Sequence, residues 1–382
     1  MDAKRIIVIG GGIAGLSAVQ AAREKDGEAR IHLICGEKTV PYYRTKIYDL
    51  LGETPLDKLF VRNYQWFIDK NIQVINGRVT AIDRENKQIQ LADGSNLAYD
   101  ALVIATGGQG RHPALPGSDQ ERVTTFRTAA DVRRLRESPG PAVIIGGGVL
   151  GLEAAWHLSL KGRPVTVIER GDWLLQRQLD PEAAAFFLRI AESAGIGIAL
   201  RGDVSYIDEK NVVLTDSRAF EAAAVIFAAG TEPVTGLAQN AGLACAKGVV
   251  VDEHMATDDP GVFACGDCAE FQGRLEGRWP VSMAQGAVAG ENAAGGSAVY
   301  RPQPAPYFIN AMGVNIWSQG NINGEDAFSC RETAAKNFAK LFFSPEQTLQ
   351  GAILIGSTAK AMELKKAIDQ HMAKAEAIKI LS

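Results

Sequence analysis

Two stretches of this chain, RIIVIGGGIAGLSA at residues 5–18 and AVIIGGGVLGLEAA at residues 142–155, carry the same local device. In each, a short apolar strand runs into three glycines spaced G-x-G-x-x-G, and a helical pattern of small and apolar residues follows. The strand Ile6–Ile9 leads into Gly10, Gly12 and Gly15; Ala142–Ile145 leads into Gly146, Gly148 and Gly151. The first glycine permits a tight turn, the second lets the backbone approach a pyrophosphate, and the third lets helix and strand pack closely. The helix starts, at Ile13, Ala14 and at Val149, Leu150, then present unpaired N–H groups and a positive dipole end to phosphates. One such turn can be a plain packing device; two imply a duplicated nucleotide-binding unit.

The duplication extends well beyond the glycines. Ile31–Ile34, followed by Cys35, Gly36 and Glu37, is matched by Val165–Ile168 ending in Glu169. Ile72–Val74, Val79–Asp83 and Asn86–Leu91 are echoed by Ile196–Ile198, Val204–Asp208 and Asn211–Leu214, all read as short antiparallel strands from their alternation and turn residues. Each unit closes on a buried strand and a tight turn, LVIATGG at 102–108 and VIFAAGT at 225–231. Gly110–Gly117 reads as a linker and Asp131–Glu137 as a short helix. A small-residue helix is expected from Ser282 to Gly295, a boundary at Pro302, Pro304 and Pro306, and an amphipathic helix from about Ala359 to Ala377. On that last helix Met362, Ala367, Ile368 and Met372 share a face that covers a core, or docks an acidic carrier, with Lys360, Lys365, Lys366 and Lys374 around it.

A chain of 382 residues is too long for one ordinary core, so two or three domains are expected. Forty basic against 44 acidic residues, with no basic run, argue against a nucleic-acid partner. With no signal-like segment and no apolar run of membrane-spanning length, no membrane partner and a cytoplasmic location are expected. Five scattered cysteines, Cys35, Cys245, Cys265, Cys268 and Cys330, fit reduced thiols. Cys265 and Cys268 form a C-x-x-C with no second pair or clustered histidines to complete a zinc site, so a packing role and no metal are read. His32, His112, His157, His254 and His371 show no ligand or triad spacing.

The twin glycine motifs, the strand ends at Thr106-Gly107 and Ala229-Gly230, and Gly266-Asp267 within FACGDCAE together resemble the FAD- and NAD(P)H-binding pyridine nucleotide–disulfide oxidoreductases over residues 5–295. VPYYRTKIYDLL (Val40–Leu51) and QRQLD (Gln176–Asp180) are most similar to the NADH:rubredoxin reductases, and the flavin-binding part of assimilatory nitrite reductases is similar too. The resemblance implies an α/β fold with two Rossmann-like dinucleotide-binding domains of glutathione-reductase type. Each would carry a small antiparallel β-meander, and a small α+β C-terminal domain would follow. An FAD domain would take residues 1–109 and 230–297, an NAD domain 110–229, and the C-terminal domain 298–382.

The same resemblance assigns site residues. Around FAD it places the first glycine loop, Glu37 on the ribose in place of Cys35, and Lys38, Arg44, Lys46 and Val79. It adds Ala105, Thr106, Gly107, Arg127, Gly266, Asp267 on the ribityl chain, and Gln285. The helix from Ser282 would aim its N-terminus at the flavin's pyrimidine edge, where its dipole favours an anionic reduced flavin. Around the nicotinamide nucleotide it places the second loop, Glu153, Glu169, Arg170 and Gly230. Glu169 would accept from a ribose 2′-hydroxyl and favour NADH, whereas Arg170 suits a 2′-phosphate. Lys46, with Arg44 as the alternative, and Glu153 are the catalytic candidates beside flavin N5 and the nicotinamide; broader relatives carry the lysine where this chain has Asp49.

Disulfide-reducing members need a cysteine after the first βαβ, and none lies between Cys35 and Cys245. Electrons would then pass from NADH through FAD directly to an acceptor, a small rubredoxin- or ferredoxin-like protein. An NADH oxidase, a flavin component of nitrite reduction and a flavin-holding regulatory scaffold are the alternatives.

Overall fold

The computed structural model describes residues 3–381, which divide into two compact units. The first takes the chain up to Ile47, then Thr54–Gln109 and Thr231–Pro302; the second takes Tyr48–Glu53, Gly110–Gly230 and the chain from Gln303 onward.

The first unit is built on a five-stranded parallel sheet in the order Val262–Ala264, Ala101–Ile104, Arg5–Ile9, Arg30–Cys35, Ile72–Asn76. Ile6, Ile7 and Val8 are fully buried, as expected of a strand covered on both faces. Side chains of this kind contribute about 1.5–3 kcal/mol each on burial. Two helices lie backbone against backbone: the first cradle helix, Ile13–Lys25, and the return helix, Trp279–Ala293. A Cβ on Gly286 would stand 2.2 Å from the Ala14 carbonyl oxygen, and one on Gly290 would stand 2.0 Å from that of Ala18.

The second unit repeats the sheet as Gly197–Leu200, Val165–Glu169, Ala142–Ile145, Ala224–Phe227, Val123–Thr125, again parallel. Each unit also has a three-stranded antiparallel meander, Val79–Asp83, Gln88–Leu91 and Asn96–Ala98 in the first, and Val204–Ile207, Asn211–Leu214 and Ala219–Glu221 in the second. The second unit further contains a five-stranded antiparallel sheet, ordered Tyr307–Ala311, Val314–Gly320, Leu349–Gly356, Asn337–Phe343, Ala327–Glu332. Helices Ala361–Asp369 and Lys374–Lys379 follow that sheet.

Three expectations change. Ile72–Asn76 and Gly197–Leu200 are not antiparallel meander strands; each is the edge of a parallel sheet. An edge strand is half-solvated, so it shows the same alternation as a meander strand. The small-residue helix starts at Trp279, because Pro280 in the first turn lacks only an N–H that has no intrahelical partner there. The C-terminal helix breaks after Asp369: His371 turns left-handed at φ +50°, and Leu349 N donates to Met372 O at 2.8 Å, drawing the chain onto the sheet. Leu364, Ala367 and Ile368 face the core, whereas Met362 is 77% exposed and does not share their face.

Candidate functional site

The first glycine loop is held from three sides. Gly10 sits at φ +127°, and a Cβ there would stand 2.0 Å from the Ala105 carbonyl oxygen. A Cβ on Gly15 would stand 2.0 Å from the Gly10 oxygen, so helix and turn touch without side chains between them. Gly12 caps the cradle helix and has nothing within 4 Å of its missing Cβ. The helix cap at Gly12 therefore opens onto free space, which suits a phosphate group.

Next to this loop lies a knot of polar side chains. Tyr42 Oη donates to Glu37 Oε2 at 2.6 Å, Arg44 pairs with Glu37 and donates to Tyr42 Oη at 3.0 Å, and its guanidinium lies 5.0 Å over the Tyr42 ring. Burial disfavours the Arg44 charge, but Tyr42, Glu37 and Asp267 outweigh it and raise its pKa. Cys35 fills the position where an acidic residue would end the strand. Its sulfur lies 2.7 Å from where a Gly11 Cβ would be, and burial, aided by Glu37, pushes the thiol up to about 12. It is a packing residue.

At the start of the return helix, Ser282 Oγ donates to Asp267 Oδ1 at 3.1 Å, and Gly266 N donates to Gln285 Oε1 at 2.9 Å. Gly266 is left-handed at φ +78°. Thr106 Oγ1 donates to Val234 O at 2.6 Å, and Val234 N donates to Gly107 O at 2.9 Å, fixing the turn after Ala105. Lys46 is exposed, with Nζ 5.5 Å from the centre of the Tyr43 ring, which stacks on Trp279 at 5.6 Å. Lys38 is exposed and left-handed, and Val79 is buried in the core, leaving its main chain to offer a ligand.

The second loop has the same build with one change. Gly146 is at φ +123° with a Cβ position 2.5 Å from Ala228 O; a Cβ on Gly151 would stand 2.0 Å from the Gly146 oxygen; Gly148 caps the second cradle helix, Val149–Ser159, and is open. Where the first unit has a thiol, the second has Glu169. Its Oε2 accepts from Gly147 N and its Oε1 from Gly171 N, both at 2.7 Å, so the carboxylate ties the phosphate loop to the next turn. Arg170 beside it is exposed. Gly230 is left-handed and its oxygen accepts from Arg111 N at 3.0 Å. Arg127 belongs to the second unit, its N donating to Asp131 Oδ2 at 2.9 Å.

Glu153, one turn into the second cradle helix, is half-buried, and desolvation pushes its carboxyl up to about 8. One further turn along, His157 stacks on Tyr48 with ring centres 4.0 Å apart, and burial lowers the His157 pKa. Burial raises the Tyr48 pKa, with Glu153 and Asp49 adding to it. Lys46 stands in the first unit and Glu153 in the second.

Reasoning from sequence missed Tyr42, Ser282, Tyr48 and His157 as parts of these clusters. Tyr42 was findable as the hydroxyl between an acid and an arginine in one short loop. Ser282 and His157 carry no such local signal.

Residues 4–286 match the model of the pyridine nucleotide-disulphide oxidoreductases, and residues 306–372 match that of the rubredoxin NAD+ reductase C-terminal domain. The chain is 33% identical to the ferredoxin–NAD(+) reductase subunit of a benzene 1,2-dioxygenase system of Pseudomonas putida, over 92% of this chain and 89% of the relative. It is 30% identical to the NADH-rubredoxin oxidoreductase of Clostridium acetobutylicum, over 97% and 95%. The solved structure of a ferredoxin reductase from Rhodopseudomonas palustris superposes with a TM-score of 0.90 at 26% identity, covering 98% of this chain and 97% of that one. Twin glycine cradles and these matches together establish that the chain belongs to the pyridine nucleotide-disulphide oxidoreductase family, whose members are FAD- and NAD(P)H-dependent flavoprotein oxidoreductases.

Proposed function

We propose that this protein is an NADH-dependent FAD reductase that passes electrons to a small iron protein of rubredoxin or ferredoxin type. The observation that carries this reading is the duplicated cradle, with its open helix starts at Gly12 and Gly148 and a carboxylate near each strand end, Glu37 and Glu169. It is supported by relatives named as reductases of ferredoxin and rubredoxin.

The chemistry supplied by FAD, once bound, is hydride uptake from a reduced nicotinamide and onward release of electrons. The chain's own residues bind and orient. The first loop offers N–H groups to a pyrophosphate, and Asp267, steadied by Ser282, offers a carboxylate oxygen to a polyhydroxyl chain. The return helix starts three residues before Ser282 and adds its positive end nearby. Arg44, locked to Glu37 and Tyr42, is a fixed cation, whereas Lys46 is free to move over Tyr43.

Both Glu169 oxygens keep a lone pair beyond their backbone bonds, enough to accept from ribose hydroxyls and to repel a 2′-phosphate. That is the reason for NADH over NADPH. Glu153 stays protonated near neutral pH and can donate a hydrogen bond to a neutral carboxamide. No cysteine lies between Cys35 and Cys245, and Cys265 and Cys268 are fully buried with raised pKa values, so no thiolate relay is built into the first unit. Delivery to the acceptor is then direct.

The test is anaerobic stopped-flow absorbance of the flavin-loaded protein. NADH should bleach the flavin rapidly, and reduced protein should be reoxidised by rubredoxin or a [2Fe–2S] ferredoxin much faster than by dissolved oxygen. Slow bleaching, or oxygen outpacing every iron protein tried, would sink the reading.

A further inference from the structure

The crossover helix of the second unit, Pro181–Ser193, is anchored from outside its own sheet. Asp180 caps it by accepting from Ala183 N at 3.1 Å. Lys340, on the Asn337–Phe343 strand of the antiparallel sheet, donates from Nζ to Asp180 Oδ2 at 2.6 Å and to Glu182 Oε2 at 2.8 Å. Arg331 at 2.7 Å and Ser329 at 3.1 Å, both on the adjoining Ala327–Glu332 strand, converge on the other Glu182 oxygen. One turn along the helix, Phe186 meets Phe338 with ring centres 5.4 Å apart. The Lys340 and Asp180 side chains are only 13% and 11% exposed, so salt screens this pair little. Removing one partner of such a pair leaves an uncompensated buried charge.

The helix held this way forms one wall of a cavity of about 400 Å³. Pro181, Ala184 and Leu188 line it from the helix; Trp173 and Leu200 line it from the turn after Val165–Glu169 and from the end of Gly197–Leu200. It therefore lies outside the carboxyl ends of two parallel strands, three residues of chain beyond Glu169, where open α/β sheets receive their ligands. The QRQLD segment is the link: Trp173 Nε1 donates to Leu179 O at 3.1 Å, and Asp180 is its last residue.

We propose that Lys340 is a positioning residue for nucleotide binding by the second unit: by fixing Asp180 and Glu182 to the C-terminal sheet it sets the helix wall beside Glu169 and so the affinity for the adenosine end of the nicotinamide nucleotide. This rests on the second cradle being the nicotinamide nucleotide site. The lysine touches no ligand itself; it acts through the helix. The C-terminal sheet thereby has a part in nucleotide affinity.

Calorimetric titration of the flavin-loaded protein with ADP-ribose, alongside KM and kcat for NADH, tests it. Lys340→Met should weaken ADP-ribose binding about tenfold and raise KM to match, with kcat within about twofold, and Lys340→Arg should recover most of the loss. Lys374→Met, which removes the Lys374–Asp326 pair of the same sheet region, should bind as the parent does. Equal binding by Lys340→Met and parent, or equal weakening by Lys374→Met, overturns the inference. If Lys340→Met does not fold, Glu182→Gln keeps the Asp180–Lys340 pair and should weaken binding about threefold; unchanged binding there overturns it too. A parent protein that binds neither ADP-ribose nor NADH overturns instead the reading of the second cradle.

Discussion

The two phosphate loops are near copies in backbone and opposites in what holds them. In the first, the residue at the strand end is a buried thiol pressed against Gly11; in the second it is a carboxylate with one backbone N–H on each oxygen, from Gly147 and Gly171. The first loop delegates its acid to Glu37, two residues on, where Tyr42 and Arg44 engage it. Loop shape is therefore set by glycines and is tolerant of the strand-end residue. Ligand chemistry is set by where the carboxylate sits and what already occupies its oxygens.

The sharpest break of this comparison is at the glycines. Gly10→Ala and Gly146→Ala each place a methyl 2.0 Å and 2.5 Å from a carbonyl oxygen at positive φ, costing on the order of 3 kcal/mol or more locally. Gly10→Ala should give protein with little flavin absorbance, and Gly146→Ala should give yellow protein that binds ADP-ribose poorly. Flavin loss from both alike would mean that the two loops do not divide the labour.

The strand-end residues come next. Glu169→Ala unties two charge-assisted bonds of roughly 1.5–3 kcal/mol each, so both NADH affinity and the preference over NADPH should fall. An unchanged KM ratio for the two nucleotides would show that Glu169 serves only the loop.

Glu153 gives a pH signature that the first cradle helix, with Ser17 at the matching position, lacks. Its carboxyl holds a proton up to about pH 8 in the folded chain but would ionise near 4.5 when exposed, so the folded state binds more protons in that window and stability falls as pH rises through it. Glu153→Gln should match the parent in thermal unfolding at pH 5 and exceed it at pH 8.5 by roughly 4 kcal/mol. Parallel curves would refute the burial assigned to this carboxyl. The smallest effect is expected for Cys35→Ala: about 1 kcal/mol of lost packing and unchanged flavin content, since the thiol contributes volume alone.

What was legible in the sequence was whatever is local. Three glycines at fixed spacing specify a turn, and Glu169 follows its strand directly, so both could be read without a structure. Ile72–Asn76 and Gly197–Leu200 were misread because alternation reports a half-covered face, not the direction of the neighbouring strand. The break at His371 is imposed by pairing with Leu349, which no helical periodicity reveals. Tyr48 against His157, and Lys340 against Asp180, join residues more than a hundred positions apart, and their types alone gave no hint of partnership.

The bare seam between Ala14, Ala18 and Gly286, Gly290 bears on how this protein is born. During synthesis the first cradle helix emerges well before its mate, which is 272 positions away and arrives only after the Gly110–Gly230 part of the second unit has been translated. The first cradle helix therefore waits through that span, its bare face incomplete and exposed to capture by chaperones.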